Sequence, residues 1–306
     1  MVDLQVTFCN VTFPNPFVLP AGILTEIPGH VAAENGGAGG ITAKSLTLEP
    51  REGYPIPRII KFEHGILNAV GFRGPGIKKG KEQVKGLIAK VKVPVIASIF
   101  STKLEEITKL TEEIASVNPP LIELDISCPH VEDEFGKSLA MSEKTAYEAT
   151  YAAKKTSKKI PLLCKLSANF SEIAKVAKAC EEAGADGISA INTIGPGMVI
   201  NIKTKKPLLG NKRGGVSGPA IRPIAVRCVY DIYEAVKIPI IGMGGVTTWQ
   251  DAVEMIMVGS TLVGVGSATY IKGMNIYKQL TKELSDYMEK EGINNITELV
   301  GVAHSN

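Results

Sequence analysis

Cys128 stands in Glu123-Leu-Asp-Ile-Ser-Cys-Pro-His130, where an alternating apolar run stops and a polar loop begins. A free thiol has a pKa of about 8.5, so a small environmental shift lets one at a strand mouth give or take a proton near neutral pH. Inert at a strand end, the same cysteine would do nothing, so the neighbouring residues decide. Lys44 ends another apolar run, and Lys165 lies near the end of a further one. A strand buried on both faces rarely tolerates an ammonium without a partner. Each could be a structural lysine paired with a carboxylate. Two on one rim fit better with an anionic ligand, or with an electron-rich cofactor that becomes anionic on reduction.

Asn68, in Leu67-Asn-Ala-Val-Gly-Phe72, and Asn192, in Ile191-Asn-Thr193, offer a donor and an acceptor together. That suits a cyclic imide or pyrimidine edge, though singly each reads as a turn former. Gly244-Gly245 and Gly266-Ser267 expose backbone N–H groups that a phosphate can approach. Close helix–strand packing would also call for glycine there. His130 is a neighbouring donor or a surface histidine. His30, His64 and His304 show no metal-ligand spacing, and no metal is expected.

Such residues need a scaffold that gathers strand ends. Eight short apolar runs alternate with longer helical patterns: Phe17–Pro20, Gly40–Lys44, Pro94–Ile99, Leu121–Ser127, Leu162–Ser167, Gly187–Asn192, Pro239–Met243 and Leu262–Val265. The helical stretches include Leu104–Val117, Thr145–Thr156, Ser171–Ala183, Pro219–Val236 and Trp249–Val258. In the third, Ile173, Val176, Ala177 and Cys180 form an apolar stripe. Repeated strand–helix units call for a parallel sheet with helices outside, and eight can close. An open doubly wound sheet would show G-x-G-x-x-G after its first strand, where this chain has Pro20-Ala-Gly-Ile23. The expected fold is therefore α/β, a (β/α)8 TIM barrel, in one domain spanning 1–306. Leu46–Lys79 and Ile194–Gly215 exceed plain βα loops and read as insertions walling the C-terminal face. The second carries short strand-like pieces at Val199–Ile202 and Pro207–Leu209. Pro129–Met141, rich in acids and poor in apolar anchors, reads as a mobile lid.

Composition excludes several classes. With 34 basic and 31 acidic residues the net charge is +3, and the basic residues form no single stripe for nucleic acid. No apolar run reaches the roughly 18 residues of a membrane span, and the N-terminus lacks a signal pattern, so the expected location is cytoplasmic. The five cysteines show no C-x-x-C pair, which argues against an iron–sulfur site in this chain. Cys9, Cys164, Cys180 and Cys228 lie among apolar residues and read as small core side chains. Only four glutamines, among many Lys, Ile and Val, hint at a heat-adapted source.

Assembled, these residues resemble the flavin-dependent dihydroorotate dehydrogenases of class 1. The resemblance is nearest to the catalytic subunit of the NAD-linked two-subunit type. It runs the length of the chain, through Pro14-Asn-Pro-Phe17, Ala43-Lys-Ser45, Asn68-Ala-Val-Gly71, Ile126-Ser-Cys-Pro129 and Lys165-Leu-Ser167. It continues through Ala183-Gly-Ala-Asp-Gly187, Ile191-Asn-Thr193, Gly214-Gly-Val-Ser-Gly-Pro-Ala-Ile221 and Ile240-Ile-Gly-Met-Gly-Gly245. The resemblance implies FMN across the barrel top, touching Ala21, Lys44, Ser45, Ser98, Asp125, Lys165, Ile191 and Gly218. Gly244, Gly245, Gly266 and Ser267 would hold its phosphate. Lys44 and the loop Asn68, Ala69, Val70, Gly71 and Phe72 would take the orotate carboxylate, and Asn192 and Thr193 the ring. Asp125 and His130 would complete the substrate site. Cys128 would take a proton from C5 of dihydroorotate as hydride leaves C6 for the flavin, with Lys165 stabilising the reduced flavin. A homodimer and an FAD/iron–sulfur electron-transfer subunit are implied as partners.

Two positions depart from the family pattern, which has asparagine at both Asp125 and His130. An ionised Asp125 is an acceptor only, would repel an anionic substrate and would raise the thiol's pKa unless a lysine neutralises it. Cys-Pro-His is also similar to dihydropyrimidine dehydrogenases, whose rings carry no carboxylate. The alternatives are thus a flavoenzyme for neutral dihydropyrimidines such as those of uracil or thymine, or a non-catalytic flavin-binding paralogue.

Overall fold

The computed structural model describes residues 2–127, 142–170 and 172–305. Eight parallel strands close into a barrel: β1 (Phe17–Leu19), β2 (Gly40–Thr42), β3 (Val95–Phe100), β4 (Leu121–Asp125), β5 (Leu162–Leu166), β6 (Gly187–Ala190), β7 (Ile240–Met243) and β8 (Leu262–Gly264). Each expected strand is present, within two residues at either end. The helices outside are α1 (Ile27–Asn35), α2 (Gly76–Ile88), α3 (Leu104–Ala115), α4 (Glu143–Thr156), α5 (Ile173–Glu182), α6 (Arg222–Ala235), α7 (Trp249–Met257), α8 (Ser267–Lys272) and α9 (Ile276–Glu291). The (β/α)8 architecture follows from the sequence pattern. Runs such as Leu162-Leu-Cys-Lys-Leu166 are buried throughout, as a strand covered by helices on one face and a packed interior on the other must be. The stripe Ile173, Val176, Ala177 and Cys180 on α5 is buried against the barrel. Cys164, Cys180 and Cys228 are core side chains, whereas Cys9 is only partly buried. Burial pushes the Cys9 thiol up to about 12, and its Sγ lies 3.1 Å from the Asp186 carbonyl.

The N-terminal end of the barrel is closed by a hairpin that the sequence reading did not identify, Val6–Phe8 paired with Val11–Phe13. Its turn residues Cys9 and Asn10 both have positive φ, the geometry of the tight turns that match strand twist. Phe8 and Phe13 are fully buried and meet edge to face, with ring centroids 6.4 Å apart. They press on the first residues of β6 and β2: a Cβ on Gly187 would stand 3.0 Å from Phe8, and one on Gly40 2.5 Å from Phe13.

At the other end the two insertions meet. Ile59–Phe62 and Gly65–Asn68 from the first join Ile194–Gly197 and Gly214–Ser217 from the second in one antiparallel sheet. The short pieces of the second insertion pair as Ile200–Asn201 with Lys206–Pro207, narrower than expected. Residue pairs such as Asn68 with Gly215 tie segments about 150 positions apart, so the loop after Asn68 is held from both insertions.

Candidate active site

Side chains on alternate positions of a barrel strand face the interior in layers. Asp125 on β4 stands beside Lys165 on β5, which stands beside Ser189 on β6. One layer below lie Ser98 and Glu123, also paired in register. Ser98 Oγ donates to Glu123 Oε1 at 3.0 Å and meets Ser45 Oγ at 2.9 Å. Ser98 therefore supports Ser45 from beneath and is not part of the cavity wall.

Above these layers a cavity of about 1330 Å³ of empty space opens at the C-terminal mouth. It gathers most residues expected of the site. From the strand ends come Ala21, Lys44, Ser45, Asp125, Lys165, Ile191, Asn192 and Thr193, and from β7 and β8 come Gly244, Gly245, Gly266 and Ser267. The first insertion contributes the whole stretch from Asn68 to Phe72. Gly218 lies just behind, its carbonyl 2.8 Å from where a Cβ on Gly245 would stand. Cys128, His130 and the expected lid Pro129–Met141 lie outside the described residues.

Lys165 is 4% exposed, yet no carboxylate among the described residues lies within ion-pair range of its ammonium. Lys44 is placed differently. Its Nζ is 3.5 Å from the Ser45 carbonyl and 5.2 Å from the centroid of the Phe72 ring, a cation–π contact. Phe72 in turn stacks on Phe100 at the end of β3, with centroids 3.7 Å apart. Phe72 has φ of 51°, a conformation bulky side chains rarely adopt, and the stack helps hold it there. Sequence reasoning did not single out Phe100, because a phenylalanine ending a buried run looks like ordinary core.

Asp125 is 4% exposed, and its Oδ1 accepts from Ser127 N at 3.0 Å and from Ser127 Oγ at 2.6 Å. The same Ser127 Oγ accepts from Asn192 Nδ2 at 2.8 Å, while Asn192 Oδ1 accepts from Thr193 N at 2.8 Å. This chain fixes the order of donor and acceptor that Asn192 presents to the cavity. Ser127 was missed as a contributor, although it stands next to Cys128 in the quoted motif. Also unforeseen are Tyr54, Ile23 and Tyr270 on the wall. The Tyr270 hydroxyl donates to the Ile23 carbonyl at 2.8 Å, and burial pushes its pKa up.

The glycines at the β7 and β8 ends answer to two demands. Gly244 and Gly245 have φ of 139° and 80°, and added Cβ atoms would stand 2.5 Å from the Ala225 Cβ and 2.7 Å from the Arg222 Cβ. Packing against α6 alone would require glycine, and the same packing leaves their backbone bare on the cavity side. A phosphate-bearing ring cofactor fits this arrangement: a bare backbone cradle at the β7 and β8 ends, a buried ammonium on β5 with no carboxylate in ion-pair range among the described residues, and mixed polar and apolar walls. Among the described residues no three His, Cys, Asp or Glu side chains gather as a metal site requires, and no helix is long and apolar enough to cross a membrane.

The comparisons with known proteins agree with this geometry. Residues 3–288 match the family model described as dihydroorotate dehydrogenase. A protein of Pyrococcus abyssi named dihydroorotate dehydrogenase B (NAD(+)), catalytic subunit, is 38% identical over 98% of this chain and 99% of its own. Proteins of the same name from Methanothermobacter thermautotrophicus and Pyrococcus furiosus are 37% and 39% identical, with at least 98% of each chain covered. The crystal structure of the Eimeria tenella enzyme in complex with ferulenol has a TM-score of 0.85 at 20% identity, covering 99% of this chain and 89% of that one, and supports the barrel. On the family match and the full-length relatives, this chain belongs to the dihydroorotate dehydrogenase family.

Proposed function

We propose that the chain, acting as a single domain, oxidises dihydroorotate to orotate with FMN as cofactor, in pyrimidine biosynthesis. The observation that carries this reading is Lys165, a buried ammonium on the cavity wall with no carboxylate partner among the described residues, opposite a bare glycine cradle. Bound FMN supplies the two-electron acceptor. The glycine backbone at 244, 245 and 266 and the Ser267 hydroxyl hold its phosphate, and Lys165 meets the electron-rich end of its ring. Lys44 and the Asn68–Phe72 loop take the substrate carboxylate. Asn192, with its orientation fixed through Ser127 and Asp125, reads one edge of the ring. Cys128, next in sequence to Ser127, removes the proton at C5 while a hydride departs from C6, and the C5=C6 bond forms. His130, two residues further on in sequence, is assigned to the same substrate by the family resemblance alone.

The relatives are named as NAD(+)-linked catalytic subunits. That naming supports a second subunit; we further propose, on the family resemblance, that this subunit carries FAD and iron–sulfur and takes the electrons, that the chain forms a homodimer, and that it works in the cytoplasm. Mixing the FMN-loaded protein with dihydroorotate without oxygen should bleach the flavin absorbance in a stopped-flow trace. Normal FMN content with no bleaching sinks the proposal, and bleaching by dihydrouracil alone would favour a neutral dihydropyrimidine. Cys128→Ala should slow bleaching by about two orders of magnitude or more, the usual scale for losing a general base. An unchanged rate would remove the thiol from the reaction.

A further inference from the structure

Between the end of β1 and the start of α1, residues 20–26 belong to neither element, so no sheet ladder or helix holds them. What holds Pro20–Ile23 comes from the far end of the chain. A Cβ on Gly266 would stand 3.0 Å from Ile23 Cδ1 and 3.5 Å from Pro20 Cγ, and one on Gly264 would stand 3.3 Å from Pro20 Cγ. The Ile23 carbonyl accepts from the Tyr270 hydroxyl at 2.8 Å. Tyr270 stands on α8, which begins at Ser267. The loop is thus seated by its side chains on the β8 glycines and tied through its backbone to the helix that follows them.

The tie is placed where the loop is otherwise free to lift. Gly22, Ile23 and Tyr270 line the first cavity and also a second one, which lies between α1 and α2, so there is space on both sides of the loop. Gly22 has φ of 82°, and a Cβ there would find no atom within 4 Å. Few contacts and a glycine at its centre leave such a segment little local stability of its own. Tyr270 is 45% exposed, and a phenylalanine ring would pack as well in its place. The hydroxyl is the part that calls for a role. Burial pushes its pKa above the usual 10, so the phenol stays protonated and can donate.

We propose that Tyr270 is a positioning residue for the bound cofactor: its hydroxyl keeps Pro20–Ile23 seated on Gly264 and Gly266, and the seated loop keeps the Gly266–Ser267 backbone in the shape that holds the phosphate. The inference rests on the FMN reading and deepens it, because it names what governs how long FMN stays. Tyr270 acts through the loop and takes no part in the proton or hydride steps.

Tyr270→Phe keeps the ring and removes only the donor. FMN release from the loaded protein, measured as free flavin after dilution, should be about three- to tenfold faster, the scale of one neutral hydrogen bond. Ile23→Ala removes the seat on Gly266 and should speed release by a similar factor. Since both act through one loop, the double variant should release FMN more slowly than the product of the two factors. Hydrogen exchange gives the readout that a general loss of stability would not mimic. Amides of residues 21–26 should exchange faster in Tyr270→Phe, and those of α4 and α5 at their original rates. Three outcomes each overturn the proposal: unchanged release from Tyr270→Phe, two factors that simply multiply, or faster exchange throughout the barrel. An unaltered protein that takes up no FMN sinks the cofactor reading and this inference together, whereas equal release from two FMN-loaded proteins sinks this inference alone.

Discussion

Lys165 keeps an ammonium in a strand whose other residues are all buried, and desolvating such a charge is costly unless something meets it. No carboxylate among the described residues meets it; on the proposed reading the bound flavin does, and Lys165→Met should then slow flavin reduction by about 10²–10³-fold, the scale for losing one preorganised electrostatic contact. Stopped-flow absorbance checks this, and Lys165→Arg should not restore the rate, because a planar guanidinium fork does not reproduce the compact point charge of an ammonium. On the proposed reading Asp125 poses the opposite problem, a carboxyl side chain placed toward an anionic substrate. Asp125→Asn keeps an oxygen for both Ser127 contacts and removes the charge. Orotate should then bind several-fold to tenfold more tightly, on the order of 1 kcal/mol, with uracil nearly unchanged. Titration of the flavin spectrum with each ligand measures both; equal shifts for the two would show that the Asp125 charge is not felt by the carboxylate. The types of these residues were legible in the sequence, but the relay from Asp125 through Ser127 to Asn192 was not. It joins positions 65 apart in the chain, and only folding brings them within hydrogen-bond distance.

The eight barrel strands were legible because each is buried on both faces and so reads as a continuous apolar run. Elements held by distant partners were harder to see. α1 carries Pro28 and Gly29 in its first turn and buries only His30 and Ala33, which leaves no periodic stripe to detect. Ile59–Phe62 and Gly65–Asn68 lie in a stretch crowded with proline, glycine and charge, and their sheet is completed by residues near 215. The late glycines read as special from the sequence, with phosphate approach and close helix–strand packing both open; that α6 is the helix pressing on them shows only in three dimensions. Two glycines can separate the roles. Gly244→Ala meets the Ala225 Cβ at 2.5 Å with φ of 139°, and Gly259→Ala meets Tyr233 at 2.2 Å with φ of 116°. Each should cost about 1–3 kcal/mol in backbone strain, read as a lower melting temperature. Only Gly244→Ala should also lose FMN on gel filtration, because Gly259 lies outside the cavity. Equal FMN loss in both would mean that retention tracks stability and not the cradle.

At the scale of the molecule, the insertion sheet ends in two edges with no strand beside them among the described residues, Ile194–Gly197 and Ile59–Phe62. Uncovered edges and apolar patches invite pairing with another chain. Close to them Ile202 is 86% exposed, Ile56 78% and Met198 53%, in a chain whose net charge of +3 does little to keep copies apart. The turn at Gly210 binds the second insertion to the first, with Gly210 N donating to the Pro57 carbonyl at 2.9 Å, so the two apolar stretches belong to one rigid surface. A surface that is apolar and held from within by the sheet suits a two-fold contact with a second copy, in which one patch serves both partners. Ile202→Glu would bring two carboxylates into such a contact, one from each copy, each without a partner. If the chain forms the proposed homodimer through this surface, the expected result is a shift from dimer to monomer in sedimentation velocity at micromolar protein, with dimer dissociation at least about 100-fold easier given the cost of burying unpaired charge. Because Ile202 does not line the flavin cavity, FMN content should stay at its original level. A variant that remains dimeric would place the contact elsewhere. Loss of both dimer and FMN would mean instead that the second copy holds the insertion sheet, and with it the Asn68–Phe72 loop, in its working position.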